Sequence, residues 1–319
     1  MFVKKNFLLI VVGLAVIFAF AMKATIFQQS GSAPKPTGDV APDFRSYWFS
    51  GKAELNSYQL QQAQYGALNP GQAVLIFVTE DFRTDKLVKS ETEESRDKAV
   101  PVLKLNAVRK FVTGIYDYSL FTSVFTPINT GNGQADAFPT TLKVSTSGQE
   151  WCGHSYLQLS YKNNGYQVNG RSYFEKEVEE DYKLDKALLE DELWTRIRLA
   201  PDQLPTGNVT LIPGTATARL RHKTLEPLAT KATLADYQGT IFPGQGLKTY
   251  TIEYPTDGRT LMIVFEDRFP HKIAGWEETY KSKDNLLTSR AILQKTIQTD
   301  YWNHNAPADS TLRQALAVR

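Results

Sequence analysis

The sequence predicts a mainly β protein: one or more curved antiparallel sheets in a half-barrel-like arrangement, with one or two packed helices. Three observations carry this. Apolar runs rich in β-branched and aromatic residues, AVLIFVTEDF (73–82), LKLNAVRKFVTGIYDYSLFTSVF (103–125) and TTLKVSTS (140–147), are separated by turn chemistry. Two hairpins are legible. In YLQLSYKNNGYQVNGRSYF, Leu157, Leu159 and Tyr161 alternate with Gln158 and Ser160, and Asn163, Asn164 and Gly165 tolerate positive φ. In KTYTIEYPTDGRTLMIVFED, Asp257 and Gly258 form the tip and Leu261, Ile263 and Phe265 share a face. Finally, fifteen Tyr, seventeen Phe and five Trp gather in such strands, where aromatic rings usually fill a core.

Taken in order, residues 1–24 read as a signal peptide or signal anchor. Lys4 and Lys5 precede NFLLIVVGLAVIFAFAM, whose strictly apolar part, Phe7 to Ala21, is short for a membrane span but suits a secretory h-region. Ala19 and Ala21 place cleavage after Ala21, while Met22 and Lys23 are poor followers and leave an uncleaved anchor open. Residues 25–45, with QQSGSAPKPTGDVAP, read as a flexible linker. Residues 46–319 form the β-rich domain. Within it VLIFVTED (74–81) and LMIVFED (261–267) echo each other, which coincidence or a pair of similar sheets explains.

One helix is expected in LDKALLEDELWTRIRLAPDQLP, where Asp185 can cap, Leu189, Leu193 and Ile197 recur every fourth residue, and Pro201 stops it. Its remaining positions are charged, so it should lie on the sheet and not inside it. A second helix is weighed over NLLTSRAILQKTIQTDYW (285–302).

Composition excludes one function class. The net charge of +2 includes Lys4 and Lys5, so loss of a leader holding both leaves a neutral chain, unlike a nucleic-acid binder. The chain's only cysteine sits in QEWCGHSY (149–156). A cysteine hydrolase needs Cys152 within reach of a histidine base. In an extended strand His154 stands about 7 Å from Cys152, so a direct bond needs a bend at Gly153. His222, His271 or His304 could reach it through the fold. The alternative is structural: Trp151 and Cys152 buried where the hairpin begins, with Gly153 a bend or bulge. Scattered histidines give no metal-ligand spacing, and no cofactor is expected. TGNGQAD (130–136) reads as a loop, and Glu175, Glu177 and Glu179 as a solvated strand face. Tyr116, Tyr118, Phe121, Trp151, Tyr254 and Trp276 are the candidate ligand-binding residues, lining a hollow for an apolar ligand.

The succession YQLQQAQYG, AVLIFVTEDF, VPVLKLNAVRKFVTGIYDYSLFTSVF and LKVSTSGQEWCGHSYLQL resembles a family of exported envelope proteins of Bacteroidota-type bacteria, over about residues 50 to 290. Some members carry the label of Maf-type septum formation inhibitor. The S-x-S-P-R signature of those nucleotide pyrophosphatases does not occur here, and that activity is not carried over. Members often end their leader at a lipobox cysteine, which this sequence lacks. TYTIEYPTDGRTLMIVFEDRFPHKIAGWEETY also resembles, at the level of pattern, periplasmic half-barrel carriers of lipoproteins. The aromatic strands, the export leader and the lack of a catalytic set point to a non-enzymatic envelope protein, periplasmic or anchored in the inner membrane facing the periplasm, that binds an apolar ligand such as a lipid or another envelope component. A hydrolase using Cys152 with a histidine base, or a purely structural scaffold, are the alternatives.

Overall fold

A computed structural model describes residues 42–128, 139–177 and 179–318, all within the unit that spans residues 34–319. Its strands are β1 (Ala53–Gln64), β2 (Ala67–Arg83), β3 (Val88–Lys89), β4 (Ala99–Thr113), β5 (Tyr116–Pro127), β6 (Lys143–Glu150), β7 (Gly153–Lys162), β8 (Gly165–Ser172), β9 (Glu179–Asp185), β10 (Leu188–Leu189), β11 (Gly207–Ile212), β12 (Leu228–Asp236), β13 (Leu247–Tyr254), β14 (Arg259–Glu266), β15 (Ile273–Ser282) and β16 (Asn285–Thr299). Among the described residues four short α-helices accompany them: α1 (Pro42–Trp48), α2 (Glu190–Leu199), α3 (Thr215–Arg221) and α4 (Thr311–Ala315). The expected mainly β, antiparallel architecture is what the chain adopts. The loop at 130–136 and the leader lie outside the described residues.

All the strands belong to one sheet, in the order β10-β11-β12-β13-β14-β15-β16-β1-β2-β4-β5-β6-β7-β8-β9, with β3 beside β2. Pairing is antiparallel except between β10 and β11. The two strands that echo each other in sequence, β2 and β14, are therefore members of the same sheet. Laid flat, such a path would be about 65 Å wide at the usual strand spacing. Yet its outermost strands, β9 and β10, are separated in the chain only by Lys186 and Ala187. A connection that short spans on the order of 10 Å. The sheet must roll until its edges come near each other, and no ladder joins β9 to β10 among the described residues, so it does not close into a barrel.

The rolled sheet is filled by α2, which corrects the expectation that this helix lies on the surface. Every residue from Glu190 to Arg198 is buried. Leu193, Trp194 and Ile197 join the main core with Tyr58, Phe77, Tyr250, Ile263 and Trp276, and the Trp194 and Trp276 rings meet edge to face at 5.1 Å. Charges are tolerated inside because each finds a partner, Arg196 on its own helix with Glu192 at 3.2 Å and the others beyond it. Arg198 donates to both carboxylate oxygens of Glu54 at 2.6 and 2.7 Å. Glu190 receives Arg259 and the Tyr254 hydroxyl. Asp191 accepts from the Thr215 amide and hydroxyl, both at 2.9 Å. Glu192 accepts from the Thr141 hydroxyl and from the Leu189 amide, so the first turn is closed by Glu192 and not by the expected Asp185, which ends β9.

The smaller helices cover ends and edges. α1 packs Phe44 and Tyr47 on Phe269 at one end, and its start at Pro42 lies inside the stretch read as linker. α3 is buried at the opposite end. Leu316, just after α4, covers Ala53, Leu55 and Val78 on the outer face. No helix of the described residues is long and apolar enough to cross a membrane. The helix weighed over 285–302 is instead the central strand β16, paired on both sides by β15 and β1. Glu175 and Glu177 belong to a 3₁₀ turn, and only Glu179 lies in a strand, β9, so the acidic run is not one strand face.

Candidate functional site

Because neighbouring strands alternate in direction, the tips of β1–β2, β4–β5, β6–β7 and β15–β16 gather at the end that α3 covers. The tips turn on residues that accept positive φ, among them Tyr65 and Gly66 (55° and 81°), Gly114 (61°) and Lys283 (53°). Three of these tips bring aromatic rings together. Tyr65 and Tyr118 share a hydrogen bond between their hydroxyls at 2.5 Å. Tyr118 stacks on Phe111 at 4.7 Å, while Tyr116 stands 5.7 Å from Tyr118 and 6.3 Å from Trp151. Ala216 and Leu220 of α3 form the floor under Phe111, Tyr118 and Leu120. Burial and the neighbouring hydroxyls push the Tyr118 phenol well above its ordinary range, so it acts as a neutral hydrogen-bonding group.

Beside these rings opens a cleft of about 600 Å³ lined by Asp117, Ser119, Gln149, Glu150 and Trp151. It is made where β5 pairs with β6, Ser119 facing Gln149 and Tyr118 facing Glu150. Strand alternation sends Asp117 and Ser119 to the outer face and Tyr118 inward. Glu150 is buried at the cleft's base. Its carboxylate accepts the Cys152 amide at 2.7 Å and faces Arg219 of α3 at 3.8 Å. Arg219 is fixed in turn: its Nε donates to the Ser155 hydroxyl at 2.7 Å, and its guanidinium lies 4.4 Å from the Phe174 ring centre.

QEWCGHSY is therefore a hairpin tip. Trp151 is 66% exposed and Cys152 is exposed as well, which corrects the expectation that they are buried. A two-residue tip has no inward direction to offer, since the pleat that would bury one face ends at Glu150. Gly153 is the first residue of β7; a Cβ there would meet the Tyr173 ring at 2.7 Å, so the glycine serves close packing. A hydrogen bond to Glu150 and the carboxylate's charge push the Cys152 thiol up, away from the thiolate that a nucleophile requires. Neither ring nitrogen of His154 is bonded to Cys152. His222 pairs with Glu177 at 2.7 Å, His271 faces the Glu266 carbonyl, and His304 pairs with Asp300 and Asp309. No group of three metal-ligating side chains occurs among the described residues.

Of the six aromatic candidates, Tyr116, Tyr118 and Trp151 meet at this site. Phe121 is half-exposed on the outer face of β5. Tyr254 and Trp276 are fully buried against α2, bonded to Glu190 and packed on Trp194 respectively. Sequence reasoning missed Tyr65, Asp117, Ser119, Gln149, Glu150 and Arg219. The signal for Tyr65, Asp117, Gln149 and Glu150 was their place within two residues of a turn; Ser119 lies four residues beyond one. Nothing local marks Arg219.

No family model, curated protein or solved structure matches this chain. The molecule is thus defined by its architecture: a rolled antiparallel sheet plugged by a charged helix and carrying, at one end, a polar cleft with Trp151 beside a cluster of tyrosines.

Proposed function

We propose that the chain is an exported cell-envelope protein that binds another envelope component at the aromatic end of its sheet, in the periplasm or anchored facing it, without catalysing a reaction. The observation that carries this is the convergence of Tyr65, Tyr116, Tyr118 and Trp151 from three separate hairpins beside an open cleft. Exposed aromatics, here Tyr65 and Trp151, backed by the half-buried Tyr116 and the buried Tyr118, are the usual composition of a recognition surface. The resemblance to exported envelope proteins and the export-type leader supply the compartment. A Cys152 hydrolase is disfavoured by the raised thiol and by the other partners that His222, His271 and His304 hold.

Cys152 itself provides the test, being the chain's only cysteine and exposed beside Trp151. Its rate of labelling by a membrane-impermeant maleimide is compared between native envelope fractions and the purified protein. A Cys152→Ser/Asn305→Cys variant reports the opposite end. Engagement of the cleft predicts that Cys152 labels at least about tenfold more slowly in the envelope, while residue 305 labels equally in both. Equal rates at Cys152 would refute the reading.

A further inference from the structure

We infer that the cleft takes a glycan: Trp151 stacks on one face of a sugar ring while Asp117, Ser119 and Gln149 bind its hydroxyls. The inference rests on the binding function proposed above and names its ligand class. A pyranose ring carries C–H bonds on its flat faces and hydroxyls around its rim. It therefore needs a broad apolar plate next to groups that both donate and accept.

Trp151 is that plate. It is the most exposed of the five tryptophans, and its one ring neighbour is Tyr116, tilted by 36°. Around it stand a carboxylate that accepts, a hydroxyl that does both and an amide that does both. The side chains of Asp117, Ser119 and Gln149 make no hydrogen bond within the described residues, although each lines the cleft. Glu150 is different. It is committed to the Cys152 amide and to Arg219, so it holds the shape of the tip and leaves the other three to a ligand.

The lining also excludes the main rivals. The unpaired carboxylate of Asp117 and no lysine or arginine line the cleft beside the paired Glu150, so a phosphate or another anionic ligand finds no cation there and meets a like charge. A lipid chain would strand Asp117, Ser119 and Gln149 without partners, at a desolvation cost that an apolar ligand cannot return. The volume of about 600 Å³ falls within the range of ligand pockets, roughly 300–1,000 Å³, and accommodates a short oligosaccharide.

Calorimetric titration with chitotetraose and with cellotetraose tests this on the whole purified protein, with millimolar sugar at the upper end. At least one sugar is expected to bind, Trp151→Ala to abolish the binding, Asp117→Asn to weaken it about tenfold, and Trp302→Ala, an exposed tryptophan elsewhere, to leave it unchanged. Binding of neither sugar, or binding that survives Trp151→Ala, would overturn the inference. Sedimentation with phosphatidylethanolamine–phosphatidylglycerol vesicles that is lost in Trp151→Ala would also overturn it: the end would then face a membrane, and the binding function would stand. Loss of the glycan result together with unprotected Cys152 in the envelope would remove both.

Discussion

Glu54 and Trp151 show how position, not residue type, sets what a side chain contributes. Burial alone would raise the Glu54 carboxyl, but the Arg198 guanidinium at 2.6 Å and the hydrogen bonds of Tyr47 and Asn56 hold it down at about 2. Glu54→Ala leaves Arg198 charged and unpaired at full burial, so a loss of about 3–5 kcal/mol is expected in urea unfolding. Trp151→Ala removes a far larger side chain, yet from an exposed tip. Its expected cost lies within about 0.5 kcal/mol, which makes it a clean probe of binding. The sequence presents these two residues the other way round. A glutamate in an alternating strand reads as solvated, and a tryptophan beside a cysteine reads as core. What decides is the far partner, 144 positions away for Glu54, and the end of the pleat for Trp151.

At the scale of elements, strands with regular alternation were legible and the two irregular pieces were not. β16 carries a bulge: Ser57 faces Lys295 but Tyr58 faces Leu293, so Gln294 is skipped. Alternation is reversed across it, putting Ile292 and Ile297 on the same outer side despite their odd spacing, and the result imitates a weak helical pattern. For α2 the periodicity was legible but its surroundings were not, because Glu54, Arg259 and Thr215, which neutralise its charges, are remote in sequence. Its acids also give the fold a pH signature. Burial, the largest influence, raises Asp191 from 3.8 to about 6 against the opposing bonds from Thr215. A carboxyl raised on folding stabilises below its unfolded value and loses that contribution as pH rises through the folded one. Stability should thus fall by about 2 kcal/mol between pH 4 and 6 from this group. Asp191→Asn should flatten that slope in urea unfolding measured from pH 4 to 7. Glu54 acts oppositely and lower, its contribution being present above about 4.5 and lost as pH falls towards 2.

For the whole molecule, the sheet's path joins the first strand to the last, which no local pattern announces. Ala53 faces Thr299, and eight further pairs of residues follow along β1 and β16. Ending the chain after residue 300 should therefore keep a cooperative thermal transition by circular dichroism, losing the cover of Tyr301, Leu316 and Val318 over Ala53, Leu55 and Val78 and the bond from Gln72 to the Ala317 carbonyl. Ending it after residue 284 removes β16 and cuts the path between β15 and β1; that chain should melt without a cooperative transition and be degraded in limited proteolysis. The same register has a practical side. Since Ala53 and Thr299 are neighbours, the described chain enters and leaves its sheet at one spot, a strand's length of roughly 40 Å from the tip at Tyr65. The molecule has a single handle. A linkage made just before Ala53 or just after Thr299 grips the sheet there and leaves the Trp151 tip at the far end.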